Sequence, residues 1–181
     1  MRSWIILGCL IQIVLSAERK NLNSIKITNV ECIPNDEWFN DTKCILKPLK
    51  NRSILIQGRT FAKKPVKTLK VHIEIHRWYS GFRPYLVNFW SDFCDIISKP
   101  EKMNALMKPF YNLITTYSNL RGPCPIEGLI EISPAVPELP VIPSLLVTGT
   151  YRCVLTFVEK DLDQWIYTFR VKAEVTSALR E

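Results

Sequence analysis

The chain has 181 residues, 47% of them hydrophobic and 23% charged, and a formal net charge of +7. That length suits one domain with a real core, and that balance excludes an intrinsically disordered chain. The basic residues are scattered through Lys47, Lys50, Arg52, Arg59, Lys63, Lys64, Lys67 and Lys70. They read as a solvated surface, with attraction to an anionic membrane or an acidic partner as the alternative, and not as a nucleic-acid face.

Residues 1–17 read as a secretory signal peptide. Arg2 gives a positive start, residues 4–15 are apolar but for Gln12, and Ser16 and Ala17 are small enough for cleavage. A membrane anchor is the alternative, but the apolar run falls short of the roughly 20 residues a span needs. The expected mature domain is therefore 18–181, secreted and extracellular. Cys9 leaves with the leader. Cys32, Cys44, Cys94, Cys124 and Cys153 enter an oxidising compartment, and an odd number allows at most two bridges. No CxxC or CxxxH spacing occurs, so no zinc site is expected. Sequons at Asn40-Asp41-Thr42 and Asn51-Arg52-Ser53 predict glycosylation of Asn40 and Asn51.

Period-two alternation dominates the rest, as in strands with one wet and one dry face. Segments 25–32, 44–49 and 54–61 read as weaker strands. In 69–76, Leu69, Val71, Ile73 and Ile75 alternate with Lys70, His72, Glu74 and His76. Ser80-Gly81 is a turn, and 85–90 follows with Tyr85, Val87 and Phe89 on one side. Met103, Leu106, Met107, Phe110, Ile114 and Tyr117 then recur at helical spacing. Ser98, Pro100 and Glu101 suggest a capping box ahead of this helix, and Pro109 should kink or split it. Prolines at 134, 137, 140 and 143 mark a loop or a distorted edge. Tyr151, Cys153, Leu155 and Phe157 share one side of the next strand, and Asp161-Leu162-Asp163 is a hairpin turn. Finally Trp165, Tyr167, Phe169, Val171, Ala173 and Val175 share one parity, opposite Ile166, Thr168, Arg170, Lys172 and Glu174. Seven or eight one-sided strands are best buried as two facing antiparallel sheets, so the predicted fold is mainly β, a sandwich with one inserted helix.

The motifs Asn29-Val30-Glu31-Cys32, Cys44-Ile45-Leu46-Lys47, Gly81-Phe82-Arg83-Pro84-Tyr85-Leu86-Val87-Asn88, Asp92-Phe93-Cys94-Asp95-Ile96-Ile97, Tyr117-Ser118-Asn119-Leu120, Cys124-Pro125 and Gly149-Thr150-Tyr151 occur in that order. In this the chain resembles a family of uncharacterised secreted insect proteins related to chemosensory proteins, within the ML lipid-recognition superfamily. The resemblance covers nearly all of the mature chain. It implies an immunoglobulin-like sandwich splayed around an apolar cavity, stapled by bridges Cys32–Cys44 and Cys94–Cys124. Wider relatives carry sterols, glycolipids or lipid A, and a few closer ones are linked to pheromone or taste detection. Cys153 departs from the pattern and is expected as a buried free thiol; Val147 stands where a proline is usual.

The inward residues Val71, Ile73, Ile75, Tyr85, Val87, Phe89, Tyr151, Leu155, Phe157, Trp165, Tyr167 and Phe169 are thus candidates to line a ligand cavity, though they suit a packed core equally well. Met103, Met107 and Phe110 are candidates for a lid, or for a helix packed over a sheet end. His72-x-Glu74-x-His76 resembles a metal site, but alternate strand positions put the histidines about 13 Å apart, too far for one ion. No nucleophile elbow, HExxH or P-loop is present, so neither catalytic residue nor cofactor is expected. The expected function is non-enzymatic: a secreted binder of a lipid or other hydrophobic small molecule, delivering it in chemosensation to a membrane receptor. The alternative is a receptor-accessory module with a filled core.

Overall fold

A computed structural model of the chain describes residues 23–48, 54–103, 107–132 and 146–177. The leader 1–17, the sequon residue Asn51 and the proline-rich stretch 134–143 lie outside these residues. The described residues form two antiparallel sheets. The larger has five strands in the order β1 (Asn23–Pro34), β8 (Gln164–Ser177), β7 (Gly149–Glu159), β4 (Leu69–Trp78) and β5 (Phe82–Asp92). The smaller has β2 (Phe39–Pro48), β3 (Ile54–Val66) and β6 (Ile126–Ile132). This is the two-sheet arrangement of an immunoglobulin-like sandwich, as the alternating pattern required.

The chain passes from the first sheet to the second at a corner between β1 and β2. Asn35 organises it: its carbonyl accepts from the amides of Trp38 and Phe39, and its side-chain oxygen accepts from Glu37 N at 3.0 Å. Trp38 is buried there, its indole N–H donating to Gln164 Oε1 at 2.9 Å, while Lys64 Nζ lies 3.8 Å from its ring centroid. The Cys32–Cys44 disulfide joins β1 to β2, and so one sheet to the other. The Cys94–Cys124 disulfide ties the helical insert to the lead into β6. Both bridges match the pairing implied by the resemblance, and Cys153 is free.

The insert differs in detail from its sequence reading. Helix α1 (Phe93–Ser98) is capped by Asp92, whose Oδ1 accepts from Asp95 N at 3.0 Å. Ser98 therefore ends a helix and does not cap one, and Pro100–Lys102 is a 3-10 turn. The longer helix α2 (Lys108–Tyr117) begins with Pro109 in its first turn. Proline is favoured there, because the amide it lacks would have no intrahelical acceptor. Pro109 thus starts the helix and splits it from the residues before.

Two irregularities alter the faces of the larger sheet. At the start of β8, Tyr167 pairs with Phe157 but Trp165 pairs with Val158, which leaves Ile166 as an extra residue in a bulge. In β5, Asn88 pairs with Glu74 and Pro84 with His76, so Tyr85, Leu86 and Val87 stand opposite Ile75 alone. Leu86 takes a left-handed backbone (φ 57°) and is 69% exposed. That conformation lets both Tyr85 and Val87 turn back onto the core.

Candidate ligand cavity

Between the sheets lies a cavity of about 270 Å³. An apolar cavity of about 150 Å³ is already large enough for benzene. The wall from the larger sheet is built by Ile25 and Ile27 of β1, Ile75 of β4, Tyr151, Cys153, Leu155 and Phe157 of β7, and Ile166, Tyr167, Phe169, Val171, Ala173 and Val175 of β8. The facing wall comes from Phe39 of β2, Ile56, Gly58, Thr60 and Val66 of β3, and Ile126, Ile130 and Ile132 of β6. Phe110, Ile114 and Tyr117 of α2 close one side, with Ser118 and Leu120 beyond the helix end.

The lining is almost wholly apolar, and most of its hydroxyls are already engaged. Thr60 Oγ1 lies 2.6 Å from Thr42 Oγ1. Ser118 Oγ donates to Ile114 O at 2.7 Å and accepts from Leu120 N at 3.1 Å. Tyr151 OH donates to Val147 O at 2.7 Å, and burial raises its pKa despite the opposing charge of Arg77. Arg59, the one charged lining residue among the described residues, is exposed and sits on the strand parity opposite to Gly58 and Thr60. Cys153 turns its remaining surface to the cavity, and burial pushes its thiol up to about 12.

The sequence candidates divide into groups. Ile75, Tyr151, Tyr167 and Phe169 line the cavity. Phe110, Leu155 and Phe157 line it and also a smaller void of about 20 Å³ beneath the helices, which Val71, Ile73 and Met107 border as well. Tyr85, Val87, Phe89 and Met103 line neither space and pack against the core instead. Trp165 is the clear correction. The Ile166 bulge reverses its parity, so Trp165 is 39% exposed and its indole N–H donates to Thr168 Oγ1 on the outer face, while Ile166 is 1% exposed. Asn40 is exposed on β2, as a glycan acceptor must be.

The smaller sheet was not found as a wall by sequence reasoning. Along β3 the inward positions include Gly58 and Thr60, which break the apolar alternation. In β6 the inward set Ile126, Ile130 and Ile132 is interrupted by Gly128, and Leu129 falls on the outward parity. The alternating glutamates Glu127 and Glu131 were the available signal.

On the outer face of the larger sheet the Glu74 carboxylate lies between two imidazoles, 3.6 Å from His72 Nδ1 and 3.7 Å from His76 Nε2. His72 also stacks on Trp90 at 4.4 Å and meets Asn88 Oδ1 at 2.8 Å. These side chains are partly covered rather than freely solvated. Among the described residues no helix is long and apolar enough to cross a membrane.

No curated protein matches the chain. Residues 71–153, which run from β4 through β5, the helical insert and β6 into the first half of β7, match the family model described as a protein of unknown function (DUF1091), and this stretch resembles that uncharacterised domain family.

Proposed function

We propose that the chain is exported and carries a hydrophobic small molecule or lipid between its two sheets, by non-covalent uptake and release. The observation that carries this reading is the cavity of about 270 Å³, its walls almost wholly apolar. A space so lined gains little from water, and burying a guest's apolar surface there contributes roughly 25 cal/mol per Å². The two disulfides support an oxidising compartment, and the exposed Asn40 sequon fits passage through one. The resemblance to insect secreted proteins of the ML superfamily supports a lipid-like guest, and makes chemosensory delivery to a membrane receptor the context.

Native mass spectrometry of the protein secreted from insect cells tests this. A bound mass that is lost on denaturation is expected, together with uptake of the neutral fluorophore naphthalene. Folded protein that is always empty and takes up no probe would overturn it.

A second reading, a receptor-accessory module, is favoured by one observation. The β4–β5 hairpin and the edge strand β5 expose Trp78, Tyr79, Leu86 and Trp90. Aromatic residues are enriched at protein interfaces. Substituting Trp78 and Tyr79 with serine leaves uptake intact if they serve only a partner, and folded protein without uptake leaves this second reading standing.

A further inference from the structure

The volume and the unspent polar groups of the cavity narrow its guest. The lining along β8 extends from Ile166 to Val175, nine strand steps or about 30 Å. The same lining reaches across β1, β8, β7 and β4, three strand spacings or about 14 Å. Among the described residues, two cavity-lining hydroxyls have no hydrogen-bond partner, those of Tyr117 and Tyr167. Tyr117 ends α2. Tyr167 lies at the corner end, opposite Pro34 of β1, with its ring held between Phe39 at 5.4 Å and Phe157 at 6.3 Å. Burial alone pushes its hydroxyl up to about 12, so it is a neutral donor and acceptor at any physiological pH.

Resting on the carrier reading, we propose that the cavity takes one small hydrophobic molecule with a single neutral oxygen function, an alcohol or a carbonyl, which hydrogen-bonds to Tyr167 at the corner end. A hydroxyl that faces an apolar cavity without a protein partner offers a hydrogen bond that a ligand oxygen can take. A carboxylate gains no such welcome. Among the described residues no cationic side chain lies on the inward parity of the lining, so its charge would be desolvated without compensation. By comparison with benzene in about 150 Å³, the volume fits about ten to twelve non-hydrogen atoms.

Displacement of fluorescent naphthalene, a probe within that volume, from the full secreted chain tests the proposal, with 1-decanol, decanal, decane, decanoate and cholesterol as competitors. Decanol and decanal should bind about 3- to 10-fold more tightly than decane. Tyr167→Phe should remove that margin without changing the affinity for decane, and Tyr117→Phe should keep it. Survival of the margin in Tyr167→Phe, its loss in Tyr117→Phe alone, or tightest binding of decanoate at pH 8 or of cholesterol overturns this assignment and leaves the carrier reading intact. If the fluorophore itself does not bind, both fall together.

Discussion

Ala173 of β8 stands opposite Tyr151 of β7 in the larger sheet, and both residues line the cavity. The alanine contributes only a methyl group to the wall, so a larger side chain there has space to enter. Ala173→Leu should therefore raise stability by about 0.5–2 kcal/mol, as cavity-filling changes do. It should also lower the uptake of hydrophobic probes. Thermal unfolding and probe titration read the two effects. A lower melting temperature with undiminished uptake would show that Ala173 does not face open space.

Cys153 makes a chemical prediction. Its thiol is pushed up to about 12 by burial, and only the thiolate reacts with alkylating agents. The folded protein at pH 8 should leave Cys153 unmodified by iodoacetamide for hours, and the denatured protein should gain one adduct with both bridges intact. Since the usual value is 9.0, stability should be unaffected by this group below that pH and should decline as pH climbs from there towards 12. Rapid alkylation of folded protein would place the thiol in water.

Glu159 sets the behaviour in acid. It is buried, and desolvation pushes its pKa up. The hydrogen bonds it accepts from Thr68 Oγ1 and Leu162 N, each 2.8 Å, outweigh that and hold the pKa below the usual 4.5. Asp92 is likewise lowered, with burial opposed by Lys160 and by the amide of Asp95. Lowered folded values mean that the stabilisation is fully present above about pH 4.5 and is lost as pH falls through the folded values. Melting temperatures should be flat in this respect from pH 7 to 5 and fall below that. Glu159→Gln should cost about 1–3 kcal/mol at pH 7 and should flatten the acid limb. An unchanged acid limb in that variant would assign the effect elsewhere.

Leu86 is a strained position with little to lose. Its side chain is mostly in water and its φ of 57° is disfavoured for a branched side chain. Leu86→Gly should stabilise the protein by up to about 1 kcal/mol, the relief of strain being partly offset by the freedom of glycine in the unfolded chain. Chemical denaturation measures it. A clear loss of stability would mean that the leucine side chain makes contacts worth more than the strain.

Much of the larger sheet was legible because its strands alternate cleanly. Leu69, Val71, Ile73 and Ile75 point inward as read, as do Tyr151, Leu155 and Phe157. Legibility failed where the period broke. A single extra residue at Ile166 exchanged the faces of Ile166 and Trp165, and period-two counting cannot see a bulge. The facing wall was hidden for another reason. Gly58, Thr60 and Gly128 carry no hydrophobic signal, although the first two occupy inward positions of that wall. The partners of the bridges followed from family resemblance, since spacing alone allows several pairings. That Tyr167 would be left without a partner could not be read at all, because it depends on where every neighbouring acceptor comes to rest.

The placing of the two disulfides has a mechanical corollary. Cys32 lies two residues from the end of β1, and Cys94 Sγ lies 3.8 Å from the carbonyl of Lys67, beyond the end of β3. Both covalent ties thus gather on the side where β1 turns into β2. Around Ile25, Leu146, Tyr151 and Val175, at the opposite extremity, the clustered side chains all come from the larger sheet and the segment leading into β7. The molecule is built like a bivalve shell, with its ligament on one side and its lips on the other. On the carrier reading, a guest admitted at the lips would travel the length of β8 before reaching Tyr167 beside the ligament.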